Sequence, residues 1–379
     1  MTRTVLVAHP GAELYGSDRM VAETVTGLVE AGRRVAVVLP VAGPLVAVLV
    51  QAGARVHVVP VPVLRKIALR PAGFLRLLAG TLRATPAALR LVRSSGADVV
   101  YVSTLTQPWW LVVARLRGVP AVCHVHEAEA SSPRVIRVGL CLPLLLARRV
   151  VVNSRFALEV AVGALPALRS RCLVVLNGVR GPTRDLRPVT EVPRPQGRLR
   201  LLYVGRLAER KGVDVLVEAL DRLLVRGHDA TLTVVGSVFP GYEGVETALR
   251  KRSEDGRLAG RVSFRGFVDD VWAVAEDHHV WVVPSRTDEP FGNTAVEAVL
   301  AGRPVVAARS GGLAEATEGY GSGVLCEPGD PDDLADAIAD LDRRWSEVTA
   351  AVPASRELAV RRHSPAGYRA AVLDVLDGV

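Results

Sequence analysis

The feature that most limits the folds open to this chain is a series of short β-branched runs set apart by helix-length segments. Runs such as TVLVAH at 4–9, RVAVVLP at 34–40, ADVVYVST at 97–104 and RVVVNS at 149–154 have unbroken apolar centres that do not alternate. A strand that is apolar on both faces is covered on both faces, which is the condition of a parallel sheet built from βαβ units. The series stops at 180–197, where four prolines and no apolar period predict a linker between domains. It restarts with LRLLYVG at 199–205, ATLTVVGS at 230–237, HVWVVPS at 279–285 and RPVVAAR at 303–309. The sequence therefore predicts an α/β protein of two facing Rossmann-like, doubly wound domains, at 1–180 and 198–352. A last helical stretch at 353–379 is expected to return to the first domain. Ligands of open α/β sheets bind beyond the carboxyl ends of the strands, so the expected site is a cleft between the two domains.

Charge divides along the same line. Residues 1–180 hold 22 Lys/Arg against 8 Asp/Glu and residues 181–379 hold 25 against 31, so the net +8 splits into +14 and −6. No acidic residue lies between Glu30 and Asp98, a span with ten basic ones. The segment 64–93 mixes leucines with seven of them, as interfacial helices do, and an anionic membrane surface is the partner such a domain suits. The plainer reading is a solvated arginine-rich helix in a chain that uses lysine only at 66, 211 and 251. Aromatic residues make up 4% of the chain and do not interleave with the basic run, so a stacking platform for nucleic acid is not expected. The apolar runs at 35–50 and 138–147 are broken or short, and the N-terminus lacks a secretion-signal core. A cytoplasmic protein, peripheral at the inner face of the cell membrane, is the expectation. The four cysteines, at 123, 141, 172 and 326, have no metal-like spacing and read as reduced core residues.

Three motifs carry chemistry. Glu289-Pro-Phe-Gly-Asn-Thr-Ala-Val-Glu297 follows the strand at 279–285 and leads into a helix whose exposed N–H groups suit a phosphate. Gly205-Arg-Leu-Ala-Glu-Arg-Lys211-Gly follows the strand at 199–204. Its glycine lets backbone approach a ligand, and Arg206 and Lys211 can clamp a diphosphate. Arg210 is expected to face solvent. In the first domain Cys123-His-Val-His-Glu127 closes an apolar strand, with His124 and His126 on one face by alternation. No convincing Asp-x-Asp closes a strand, so no metal is invoked. No GxGxxG follows the first strand, which argues against hydride transfer.

The stretch from 284 to 330 closely resembles the donor-binding half of glycosyltransferase family 4. It carries Glu-x7-Glu at 289–297, the Ser-Gly-Gly segment at 310–312 followed by Glu315, and the ending Gly-Val-Leu-Cys-Glu-Pro-Gly-Asp at 323–330. The Gly-Arg-Leu…Lys-Gly pattern and the strand ending in His126-Glu127 are similar as well. The resemblance implies a GT-B fold and retaining transfer of a hexosyl unit from a nucleoside diphosphate sugar, UDP- or GDP-linked, to a hydroxyl acceptor. That acceptor would be a glycan, a lipid-linked precursor of a cell-surface polysaccharide or a small molecule, and no tightly bound cofactor is implied. Glu297 would hold the ribose hydroxyls and Glu289 the donor sugar. The backbone at Phe291, Gly292, Asn293 and Thr294 would face the sugar and diphosphate, and Phe267 and Val268 the base. His126 would approach the sugar, and Gly205, Arg206 and Lys211 would meet the diphosphate. Tyr15 stands where relatives carry the first of two glycines, while Gly16 still permits the tight turn. A nucleotide-sugar epimerase of similar two-domain fold and a basic nucleic-acid-binding protein are the alternative readings.

Overall fold

The computed structural model describes residues 3–64, 71–239 and 241–379. Of the basic run, Arg65, Lys66 and Arg70 lie outside the described residues. The chain forms two compact units, Met1–Gly178 together with Pro365–Val379, and Val179–Ser364.

In the first unit β1 (Thr4–Ala8), β2 (Arg34–Leu39), β3 (Arg55–Val58), β4 (Val99–Val102), β5 (Ala121–Val125), β6 (Arg149–Val152) and β7 (Cys172–Val174) make one parallel sheet ordered β3-β2-β1-β4-β5-β6-β7. Every residue of β1, β4 and β5 is buried, as unbroken apolar runs require. Alternation sorts them: Val5, Val7 and Tyr101 join one core, and Leu6, Ala8 and Val102 the other. The first core is covered by α1 (Gly16–Glu30) and α2 (Pro44–Gln51). The second lies under α3 (Pro71–Ser95), α4 (Trp109–Leu116), α5 (Arg134–Cys141) and α6 (Arg155–Ala164). Strand order reverses between β1 and β4, whose register pairs Ala8 with Val102, so His9 and Ser103 emerge side by side.

The second unit repeats the plan. Strands β8 (Leu199–Val204), β9 (Ala230–Val235), β10 (Val262–Gly266), β11 (Val280–Val283), β12 (Val305–Ala308) and β13 (Gly323–Cys326) are parallel and ordered β10-β9-β8-β11-β12-β13. Around them lie α7 (Val213–Val225), α8 (Glu243–Ser253), α9 (Val271–Ala275), α10 (Asn293–Leu300), α11 (Leu313–Thr317), α12 (Pro331–Arg343), α13 (Trp345–Ala350) and α14 (Val352–Arg362). The reversal falls between β8 and β11, the strands that precede the two donor-type motifs.

Two segments differ from the sequence expectation. The stretch 180–197 is no free tether, because it is docked on the second unit. Val189 and Val192 are buried, Arg184 makes a bidentate pair with Glu276 at 2.6 and 3.0 Å, and the fully buried Arg303 donates to the Arg187 carbonyl at 2.7 Å. Its prolines exclude regular elements but not packing. The stretch from 353 is two helices and not one. α14 packs on α10 of the second unit, and α15 (Pro365–Asp377) packs on α1 of the first. The break falls at His363 and Ser364, since the residue before a proline is driven out of the helical region. Tyr368 of α15 then bonds Thr24 at 2.7 Å.

Candidate active site

At the β8/β11 reversal the chain is drawn tight by glycines. Gly205 has φ 155°, and a Cβ on Gly236 (φ 129°) would lie 1.8 Å from the Gly205 carbonyl oxygen. Gly236 N–H donates to the Gly266 carbonyl at 2.7 Å, so the ends of β8, β9 and β10 form one backbone rim. Gly212, at φ 69°, opens α7, and a Cβ there would meet the Pro284 carbonyl oxygen at 2.0 Å. That contact, with Arg286 N–H donating to the Arg210 carbonyl at 2.8 Å, brings the Arg206–Lys211 loop against the end of β11.

The loop delivers Lys211 to Glu289. The ammonium donates to Glu289 Oε2, Ser285 Oγ donates to the same oxygen at 3.0 Å, and the Arg210 guanidinium stands 3.6 Å from it. Burial opposes ionisation of Glu289, but Lys211, Arg210 and Ser285 outweigh it and hold the carboxyl below its ordinary value. Burial likewise lowers the Lys211 ammonium, against the pull of Glu289. Arg210, expected in solvent, is half exposed but drawn to the buried carboxylate, a proximity no sequence signal carries. The Arg206 guanidinium lies 3.6 Å over the Phe239 ring, and its charge is felt at Lys211.

The Glu289 loop is itself constrained. Asp288 is a non-glycine residue at φ 50°, a conformation that persists only where surroundings impose it. The Gly312 N–H donates to the Glu289 carbonyl at 2.7 Å, and Gly292 at φ 111° turns the chain into α10. Asn293 and Thr294 are half exposed in the first turn of α10, whereas the Phe291 side chain is buried edge-on to His363, with centroids 5.4 Å apart. Phe291 therefore offers only backbone. Glu297 is buried inside α10, and Phe267 is exposed on the loop after β10 with Val268 half buried beside it.

The first unit carries its own polar cluster. His9 Nε2 donates to Asp18 Oδ1 at 2.7 Å, and His9 Nδ1 pairs with Ser103 Oγ at 3.2 Å. Asp18 Oδ2 also accepts the Tyr15 N–H at 2.8 Å, so one buried carboxylate caps α1 and holds His9. A Cβ on Gly11 would stand 2.6 Å from Asp18 Oδ1, so a larger residue there would have to displace this carboxylate. Gly16 is exposed in the first turn of α1. The rings of His124 and His126 lie tilted at 31° with centroids 4.1 Å apart, and His124 Nδ1 pairs with the Tyr101 hydroxyl at 2.5 Å. Burial, and then the charge of His9, push His126 down to about 3, so its imidazole is neutral at physiological pH. Glu127 accepts from Thr104, from Leu105 N–H at 3.1 Å and from His126 N–H at 3.1 Å. It therefore sets the loop that carries His126. Sequence reasoning missed the His9–Asp18–Ser103 network, and its one available signal was a histidine closing the first strand.

Two doubly wound domains, each with polar groups at its strand reversal, are the architecture of the GT-B fold, and comparison with known proteins places the chain among the glycosyltransferases that share it. Residues 15–180 match the family described as "Glycosyltransferase Family 4" and residues 198–343 match "Glycosyl transferases group 1". The 2-deoxystreptamine glucosyltransferase of Streptomyces kanamyceticus is 31% identical over 71% of this chain and 74% of its own length. A glycogen synthase of Mycobacterium tuberculosis is 37% identical over 66% of this chain, which spans 61% of that relative's length. Among solved structures, Anabaena HepE in complex with UDP has a TM-score of 0.82 at 19% identity over the whole of both chains. Sucrose-phosphate synthase of Thermosynechococcus elongatus has a TM-score of 0.76 at 20% identity, over 99% of this chain and 98% of its own. The chain belongs to glycosyltransferase family 4 and is a glycosyltransferase, which sets aside the epimerase reading.

Proposed function

We propose that the enzyme moves a hexosyl unit from a nucleoside diphosphate sugar to a hydroxyl acceptor with retention of configuration. The observation that carries this reading is the convergence of Arg210 and Lys211, with Arg206 close by, on the single buried carboxylate of Glu289 beside the first turn of α10. Cations fixed before the reaction stabilise the negative charge that develops on a departing diphosphate. In this reading Arg206 and Lys211 bind the diphosphate, with Gly205 and the Gly292–Thr294 backbone against it, and Glu289 hydrogen-bonds the sugar. Glu297 holds the ribose, the backbone at Phe267 and Val268 meets the base, and neutral His126 offers the sugar a hydrogen bond without charge. Val179–Ser364 is the donor-binding unit, and Met1–Gly178 with Pro365–Val379 takes the acceptor. That HepE was solved with UDP and with UDP-glucose favours a uridine donor, with a GDP-sugar the alternative.

The named relatives act on different acceptors, so the acceptor is assigned here only as a hydroxyl of a glycan, a lipid-linked precursor or a small molecule. The +14 of residues 1–180 supports a first unit that works beside an anionic membrane. Slow donor hydrolysis followed by proton NMR tests the proposal. It should release the sugar with its donor configuration, and Lys211→Ala and Glu289→Ala should each abolish turnover. Full turnover in either variant, or release of the inverted sugar, overturns it.

A further inference from the structure

On the outer layer of the first unit α3, α4, α5 and the short turn Leu142–Leu146 pack side by side, α3 on α4, α4 on the turn and the turn on α5. These four segments contain no aspartate or glutamate. Their solvent side carries several large aliphatic side chains. Leu75, Leu78 and Leu82 stand at i, i+3 and i+7 of α3, with Leu75 64% and Leu82 65% exposed. Val112 and Leu116 of α4 and Val135 of α5, the last 78% exposed, are exposed on the other helices of this layer. Beside the leucine row Arg76, Arg83 and Arg90 recur every seven residues, and Arg93, Arg115 and Arg134 are exposed with them. None of these six arginines has a carboxylate partner among the described residues, and no acidic residue lies in 31–97 to provide a local one.

The second unit shows that this is no general habit of the chain. There most surface arginines are paired with carboxylates, among them Arg226 with Asp336 at 2.6 Å, Arg250 with Glu246 at 2.7 Å and Arg252 with Glu218 at 2.6 Å. An arginine-rich composition alone would leave both surfaces alike. A soluble apolar face flanked by unpaired arginines meets two demands together, burial of leucine and neutralisation of guanidinium, and an anionic bilayer surface meets both. Arginine stems lie along apolar surface while their heads reach phosphate. Among the described side chains of the face the large exposed apolar ones are aliphatic, and Trp109 and Trp110 of α4 are buried, so these offer no stacking platform for nucleic acid. No described helix is long and apolar enough to cross a membrane, so the mode is one of lying on the surface.

We propose that the α3–α4–α5 face is a membrane-docking surface that inserts Leu75, Leu78 and Leu82 among the acyl chains of an anionic leaflet while the arginines bind lipid phosphates. This rests on the reading that the first unit works beside a membrane, and it assigns the residues that make the contact. α5 follows the His126–Glu127 loop directly in sequence, so the docked face adjoins the chain segment that carries the proposed catalytic histidine.

Flotation of the full chain with vesicles of phosphatidylcholine, or of phosphatidylcholine mixed with phosphatidylglycerol, tests the proposal. Binding is expected to the mixed vesicles and not to the neutral ones. Each arginine of the row changed to alanine should weaken it about fivefold. Leu75→Ser with Leu82→Ser, which leaves the charge untouched, should weaken it about tenfold. These side chains are exposed, so melting temperature and donor-induced stabilisation should stay at the wild-type values. Absence of binding to mixed vesicles overturns the proposal, as does binding indifferent to the leucine pair, which would mark mere cationic adsorption. A dimer in sedimentation that the leucine pair dissolves would also overturn it, because the face would then be an interface between copies. Vesicle binding without any donor response sinks the donor reading alone, and the reverse sinks the docking face alone.

Discussion

Removing the Glu289 carboxylate while keeping its shape, by Glu289→Gln, isolates the charge arrangement on which the proposed donor site depends. In the wild type this oxygen holds Lys211, the Ser285 hydroxyl at 3.0 Å and Arg210 at 3.6 Å. The glutamine leaves Lys211 beside Arg210 with no counter-charge. Breaking a buried pair by deleting one partner costs about 3–5 kcal/mol, and the low end applies because burial already lets Lys211 shed its proton more readily. For a unit of this size about 3 kcal/mol corresponds to a fall of roughly 6–12 °C in melting temperature. Lys211→Met should be milder, since Arg210 and Ser285 remain with the carboxylate, and the double variant should be no worse than Glu289→Gln alone. The pH dependence has a definite sign. Glu289 titrates below its ordinary 4.5, so the pair's contribution is present above that value and is lost as pH falls through the lower folded-state value. The gap between wild type and Glu289→Gln should therefore close on acidification. A nucleoside diphosphate supplies the missing negative charge and should bind Glu289→Gln more tightly than wild type; at a hundredfold excess over the variant's Kd it should stabilise the variant by about 2.7 kcal/mol, and wild type by less at the same concentration. Differential scanning fluorimetry across pH, with and without UDP, measures all of this. A shift under about 2 °C at neutral pH, or additive losses in the double variant, would refute the reasoning.

Arg303 donates to the carbonyls of Ala275, Glu276 and Arg187, so Arg303→Met should cost about 3 kcal/mol and speed proteolysis within 180–197; urea melts and limited trypsin digestion check this. His126 titrates near 3 in the folded chain and near 6.5 when unfolded, so wild-type stability should fall as pH drops below 6.5. His126→Asn should flatten that slope in urea midpoints taken across pH. Gly312→Ala places a Cβ 2.4 Å from the Pro290 carbonyl oxygen and 2.9 Å from Phe291 Cα, displacing the Glu289 loop. Calorimetry should show donor affinity at least tenfold weaker, at about 1–3 kcal/mol of overpacking.

What could be read from the sequence was what local pattern determines. Unbroken apolar runs gave buried parallel strands, and the positions of β8 and β11 put both donor-type motifs at a strand reversal. The break before Pro365 was readable in its Ser-Pro pair, yet helical composition on either side concealed it. Other features depend on contacts that sequence spacing does not carry. Arg210 and Glu289 meet only because Gly212 lets its loop press on Pro284, 72 residues along the chain. His9 and Ser103 come together through the pairing of β1 with β4, 94 residues apart. The docking of 180–197 rests on Arg303, whose role as a buried donor to carbonyls has no local signature. A basic run pointed to α3, but only the packing of α3, α4 and α5 side by side showed that neighbouring helices also lack carboxylates.

The central claim, that this glycosyltransferase draws its sugar from a nucleoside diphosphate donor held by the second unit, is tested most directly by isothermal titration calorimetry. UDP-, GDP- and other nucleotide sugars would be titrated into wild type and Glu297→Gln. The account predicts saturable binding of one donor class by the wild type, with at least a tenfold loss in Glu297→Gln, which removes the charge proposed to hold the ribose. Wild type that binds no nucleotide sugar, or equal binding by the variant, would contradict it.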